Sequence, residues 1–89
     1  MGTLYHVPII GTMHKTITSS EYQRLVKHLI KAREASGLSM RDVASELSQP
    51  HTFVHKVEVL ERRLDVYEYV KLREVLGIDP HDGIDILIK

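Results

Sequence analysis

Four side chains that can donate hydrogen bonds occur near the middle of the chain, at His51, Thr52, His55 and Lys56. His51 and His55 are four residues apart, and so are Thr52 and Lys56. The members of each pair would therefore share one face of a helix. Imidazole, hydroxyl and ammonium groups can donate to purine N7 and O6, to thymine O4 or to phosphate oxygens. The pattern predicts a surface that recognises DNA.

Two short helices would have to position this surface. Ser39 can cap the first of them, and Asp42 completes a capping box three residues later. Its apolar positions are Val43, Ala44 and Leu47. Pro50 lacks an N–H and disfavours helical backbone in the residue before it, so the first helix should end near Ser48.

A second helix should follow at once, because proline suits a first helical turn. Its apolar positions Phe53, Val54 and Val57 recur three and four residues apart. The small Ala44 would let the two helices cross closely. The sequence therefore predicts a helix-turn-helix, and its second member is called the recognition helix below, since such a helix fits the major groove.

Three arginines flank the recognition helix. Arg41 belongs to the first turn of the supporting helix, whereas Arg62 and Arg63 follow the recognition helix. From there they could reach backbone phosphates, which position a protein without carrying sequence information. Ion pairs with Asp65 or Glu61 are the alternative for the last two. The predicted DNA-contacting residues are Arg41, His51, Thr52, His55, Lys56, Arg62 and Arg63.

The stretch GLSMRDVASELSQPHTFVHKVEVLERRLDVYEY resembles the Cro/phage-repressor type of helix-turn-helix domain, the XRE family. The resemblance covers roughly Tyr22 to Ile86. Within the family it is closest to a bacterial subgroup whose members have the pattern GLTQ-x-x-x-A-x-x-L-GRPQSFVSK-x-E-x-GERRLDV-x-EF. The agreeing positions are Gly37, Ala44, Leu47, Pro50, Phe53, Val54, Lys56, Glu58 and the run from Glu61 to Val66. The resemblance implies an all-α, five-helix, lambda-repressor-like fold, operator binding as a dimer, and transcriptional repression.

Four positions depart from the family pattern. Met40 replaces a glutamine that contacts DNA in the family, and His51 and His55 replace a glutamine and a serine. The base preference of relatives therefore does not transfer. Leu60 replaces a glycine, so the following turn either lacks a left-handed residue or the helix runs longer.

Other functions have less support in the sequence. The spacing of His51 and His55 suits a metal ion, but two ligands are too few, so no metal and no cofactor is expected. No nucleophile elbow or phosphate-binding loop is present, which argues against an enzyme. A toxin–antitoxin antitoxin or a restriction-modification controller stays open within the DNA-binding class. Outside that class, a protein-interaction module that keeps the fold is the alternative, because Met40 and the neutral net charge are compatible with it.

The 89 residues are 43% hydrophobic, which suits one small domain. The chain has no cysteine, no apolar run of membrane-spanning length and no signal peptide, so we expect a cytoplasmic protein, bacterial or phage-derived and associated with the nucleoid. Its charges are segregated. Residues 22–63 carry eight Lys/Arg and five Asp/Glu, a net +3, whereas residues 64–89 carry three and six, a net −3. The predicted DNA surface lies in the basic half.

The flanking segments complete a five-helix prediction. Ser20 should cap a helix that Gly37 ends, and Asp65 with Glu68 should start another that Gly77 ends. Asp79-Pro80 opens a short last helix or turn, which Gly83 should weaken. Within this bundle Arg33 is predicted to form a structural ion pair with Glu58.

The two ends of the chain have separate predictions. Residues 1–19 are expected to be an N-terminal arm or a leader introduced during cloning, and residues 20–89 the helix-turn-helix domain. For residues 1–12 the alternatives are an upstream extension, such a leader, or a dimerising, strand-exchanging arm. The apolar C-terminal residues Ile84, Ile86, Leu87 and Ile88 predict a self-association surface.

Overall fold

The computed structural model describes residues 19–89, which form five α-helices and no strand. The helices are α1 (Ser20–Ser36), α2 (Met40–Glu46), α3 (Thr52–Glu58), α4 (Val66–Leu76) and α5 (Pro80–Ile88). The predicted all-α, five-helix fold is confirmed, while the proposed N-terminal arm lies outside the described residues. Along residues 19–89 no helix combines the length and apolar character needed to cross a membrane.

Helix α1 is the central element of the bundle. It contacts α5, α4 and α3. The core consists of Tyr22, Leu25, Val26, Leu29, Val43, Ala44, Phe53, Val54, Val57, Tyr69, Leu72 and Leu76. Every one of these positions lies in a helix, so the core fixes the orientation of α3, the predicted recognition helix.

Local capping sets the helix ends. Ser19, and not the predicted Ser20, caps α1, since its Oγ accepts a hydrogen bond from the Tyr22 N–H at 3.2 Å. Gly37 ends the helix with φ +73°, a left-handed conformation that glycine adopts without strain. Asp65 and Glu68 form the expected capping box at the start of α4.

The turn after α3 differs from both expectations for Leu60. The recognition helix ends at Glu58, and Leu60 itself takes the left-handed conformation, with φ +67°. A side chain makes this conformation unfavourable by about 1–2 kcal/mol relative to the right-handed one. Leu60 is half-buried against the core, which offsets part of that strain. Leu60 thus adopts the left-handed backbone that a glycine would favour at this position, although it carries a side chain.

Gly83 does not interrupt α5, contrary to expectation. It is buried at the contact with α4, where the Tyr69 hydroxyl donates a 2.6 Å hydrogen bond to the Pro80 carbonyl. A Cβ at this position would overlap the Tyr69 hydroxyl and lie 2.9 Å from Leu25 Cδ1. The absence of a side chain is therefore what allows α5 to dock, and α5 is a full nine-residue helix.

We expect Gly83→Ala to lower the free energy of unfolding by about 2 kcal/mol through overpacking. Alanine instead of glycine in a solvent-exposed helix interior would raise it by about 1 kcal/mol. Urea denaturation separates these outcomes by sign. Adding Tyr69→Phe should recover part of the loss, since the overlapping hydroxyl is gone. If Gly83→Ala alone is at least as stable as wild type, this account of the α4–α5 contact is refuted.

Candidate nucleic-acid interface

The supporting helix α2 begins in the predicted capping box. The Asp42 N–H donates to Ser39 Oγ at 3.0 Å, and the Ser39 N–H donates to Asp42 Oδ2 at 3.1 Å. The hydrogen bonds from the Ser39 backbone and side chain hold the pKa of the Asp42 carboxyl below its ordinary value. The start of α2 is thus fixed locally.

The turn between α2 and α3 is tight. Ser48 takes a left-handed φ of +55°, and the Gln49 N–H donates to the Ala44 carbonyl at 2.9 Å. The prediction that Pro50 opens the second helix is off by two residues, because α3 begins at Thr52 after a non-helical Pro50. The Pro50 carbonyl still accepts from the Phe53 N–H at 2.9 Å, so it closes the turn onto α3.

Small and branched side chains set the crossing of the two helices. Val43 and Ala44 are fully buried, which fits the predicted role of Ala44 at the close approach. On α3, Val54 and Val57 are 4% and 3% exposed. Together with Leu29 of α1 they line a cavity of only about 10 Å³. The tight packing leaves α3 little freedom to rotate about its axis.

An ion pair fastens the end of α3 to α1, as predicted. Arg33 Nε lies 2.6 Å from Glu58 Oε2, and Arg33 Nη2 lies 3.1 Å from Glu58 Oε1. Arg33 Nη1 also donates to the Leu38 carbonyl at 3.0 Å. The side chains of the pair are 13% and 10% exposed. The hydrogen bond to Glu58 raises the pKa of Arg33 above its ordinary value.

Three of the predicted recognition residues occupy the solvent-exposed face of α3, opposite its buried face. Thr52, His55 and Lys56 are exposed, and each lies on the side away from the buried Phe53, Val54 and Val57. His51 is also exposed, immediately before the helix, and Arg41 is exposed in the first turn of α2. Since the buried residues pack toward α1, the donor groups point out of the domain.

Arg62 has a different partner from the two that were predicted. Its guanidinium forms two 2.8 Å hydrogen bonds with the Glu68 carboxylate, and neither Asp65 nor Glu61 takes that place. It also lies over the Phe53 ring, with Cζ 4.7 Å from the ring centroid. Arg62 keeps the pKa of Glu68 below its ordinary value, mainly through these hydrogen bonds. Arg62 thus connects α3 to α4, and its contact with DNA stays a prediction.

Arg63 borders a groove next to α4 and α5. It is half-buried and lines an apolar groove with Tyr22 and Ile84. Its contact with a phosphate stays a prediction. Met40, at the family's glutamine position, packs against the core instead of pointing outward.

Two further features of the interface were missed from the sequence. Val59 follows α3 on the same side as His55 and is 45% exposed. Tyr67 and Lys71 border the helix-turn-helix at a depression that they share with Gln49, and Lys71 Nζ lies 5.5 Å from the centroid of the Tyr67 ring. The four-residue spacing of an exposed aromatic and a cation could have indicated this pair.

Four solved protein chains match this chain. No family model matches the chain, and no curated protein does. Among solved structures, the chain is similar to an "XRE-family like protein from Pseudomonas syringae pv. tomato str. DC3000". The two sequences are 38% identical and the TM-score is 0.74, with 85% of this chain and 93% of that chain covered. The similarity thus extends over nearly the whole of that chain.

Proposed function

Because this chain belongs to the XRE family of helix-turn-helix proteins, we propose that it binds a specific double-stranded DNA sequence and represses transcription as a homodimer on a palindromic operator. The observation that carries the proposal is the outward face of α3. It presents exposed hydrogen-bond donors on a helix whose other face is locked against α1. The proposed role is regulatory and involves no catalysis. Its place of action would be the cytoplasm, at the nucleoid of a bacterium or on phage DNA.

The proposed division of contacts follows from side-chain chemistry. His51, Thr52 and His55 would face base edges, since imidazole and hydroxyl groups both donate and accept hydrogen bonds. Val59 would pack against a thymine methyl, which is the apolar feature of the major groove. Lys56, with Arg41 and the guanidinium groups of Arg62 and Arg63, would contact phosphates.

The homodimer is supported by an apolar groove whose rim is exposed. We define the apolar surface as Leu64, Val66, Tyr69, Ile84 and Leu87, which line one groove between α4 and α5. Val66 is 81% exposed, Ile84 43% and Leu87 39%. Of the four residues predicted for self-association, Ile86 is half-buried against the core and Ile84 and Leu87 line the groove. A second copy is the occupant that a two-fold operator requires.

The proposal is tested by selection from a randomised duplex library, followed by binding of the recovered sequence over a salt series. A two-fold symmetric site with half-sites about 34 Å apart is expected. Affinity should fall with a log–log salt slope of about −0.9 per phosphate contact. If no sequence is enriched and no duplex binds, the DNA-binding role is rejected in favour of a protein-interaction module.

Lys56→Ala should weaken operator binding about tenfold and reduce the salt slope by about 1 for each recognition helix. The lysine is exposed on α3, so the variant should fold normally. Fluorescence anisotropy at several salt concentrations measures both quantities. Lys27→Ala, which removes an exposed lysine from α1, is the matched control and should bind a short operator duplex like wild type. Unchanged affinity in Lys56→Ala would show that α3 is not the recognition helix.

A further inference from the structure

A second cationic surface lies on α1. Arg24, Lys27 and Lys31 are exposed and recur three and four residues apart, so they form a row about 10 Å long. The row borders a shallow groove, which is lined by Arg24, Lys27, His28, Lys31, Ile86 and Lys89. We call these residues the basic groove. No side chain in it is acidic.

The cations of the basic groove have no carboxylate at ion-pair distance in the described part of the chain. Within residues 19–89, none of its three lysines nor Arg24 forms an ion pair with a carboxylate. The Nε2 atom of His28 is buried among them and has no hydrogen-bond partner in this part of the chain. Exposed cations that lie side by side without carboxylate partners favour a ligand that carries negative charge.

The basic groove and the recognition face point in opposite directions. On α1, Val26 and Leu29 line the contact with α3. Arg24 and Lys31 each lie two residues from one of them, which is about 200° around the helix. On α3 the same relation separates the buried Val54 from the exposed Lys56. One straight duplex on the recognition face therefore cannot reach the basic groove.

The composition of the basic groove favours phosphates over a protein partner. Protein interfaces have an apolar centre and few lysines. Here lysine is the predominant cation, and Ile86 is half-buried. A lysine ammonium binds a phosphate as a point charge and needs no fixed geometry. One DNA strand carries a charge for about every 3.4 Å of axis, so a row about 10 Å long can contact neighbouring phosphates of one strand.

We infer that the basic groove holds the backbone of a second DNA duplex, so that one protein molecule bridges two duplexes. The inference rests on the proposed function, because the first duplex is held by the recognition helix. Binding in the groove would be independent of sequence and strongly dependent on salt. The regulator would thereby bring its operator close to other DNA.

A two-duplex capture assay tests the bridge. A biotinylated operator duplex on beads is saturated with protein, and a fluorescent duplex of unrelated sequence is added at low salt. Wild type should retain the second duplex and release it as salt rises. Lys27→Gln/Lys31→Gln should bind the operator normally but retain at least tenfold less of the second duplex. Lys27→Arg/Lys31→Arg, which keeps the charge, should retain it like wild type.

The outcomes separate the two proposals. If the protein fails to load on the first duplex, the proposed function fails, and the bridge fails with it. If the protein loads but wild type retains no second duplex, only the bridge is refuted. Equal retention by wild type and Lys27→Gln/Lys31→Gln also refutes it, since the second duplex is then held elsewhere.

Discussion

Glu58→Ala is expected to lower the free energy of unfolding by about 2–3 kcal/mol, somewhat less than the loss of a fully buried ion pair because both side chains keep some contact with solvent. The variant leaves the Arg33 guanidinium, whose side chain is 13% exposed, without its carboxylate partner. The bond to the Leu38 carbonyl would remain but cannot neutralise the charge. Urea denaturation followed by circular dichroism measures the loss, and operator binding should weaken as well because the end of α3 is released from α1.

Two controls isolate the pair. Glu61→Ala removes an exposed carboxylate just after α3 and should change stability by less than about 0.5 kcal/mol. Arg33→Met/Glu58→Leu replaces both partners by apolar side chains and should be more stable than Glu58→Ala, since no partly buried charge is left unpaired. A loss below about 1 kcal/mol in Glu58→Ala would show that solvent compensates Arg33 and that the pair does not anchor α3.

Much of the backbone could be predicted because its determinants are local. The boxes at Ser39–Asp42 and Asp65–Glu68 involve residues three apart, and the stops at Gly37 and Gly77 depend on a single residue each. Such features need no knowledge of the rest of the fold. The helix boundaries they predict agree with the structure to within two residues.

What the sequence concealed depends on contacts between distant elements. Gly83 is unfavourable for an isolated helix, and only the approach of Tyr69 makes its missing side chain necessary. Leu60 adopts a glycine-like backbone because its side chain is packed against the core. In both cases tertiary packing overrides the local preference of the residue.

The candidate site shows the same division. Once Phe53, Val54 and Val57 are assigned to the core, helical periodicity places Thr52, His55 and Lys56 outside. The partner of Arg62 could not be found in this way, because Glu68 reaches it across a turn that the sequence does not define. The sequence alone therefore could not show that Arg62 forms an ion pair within the fold.

The largest expected effect on DNA binding comes from residues that would never contact DNA. Ile84→Asp/Leu87→Asp should convert a dimer to a monomer and lower operator affinity about a hundredfold or more. One small module buries only about 600–1,000 Å² on DNA. Linking two modules raises the affinity by about 10²–10⁴ over that of one. Two charges in the apolar surface, within the acidic half of the chain, would remove that gain.

Sedimentation velocity and operator binding, measured on the same samples, test this prediction. Val66→Asp is a second variant that should fold, because Val66 is 81% exposed and an acidic residue is favourable in the first turn of α4. It should also give a monomer. His81→Asp adds an acidic residue to α5 outside the apolar surface and should stay dimeric with near wild-type affinity. If both apolar-surface variants remain dimers, the two copies must meet elsewhere, and α4 and α5 would then have no part in placing the recognition helices one helical turn apart.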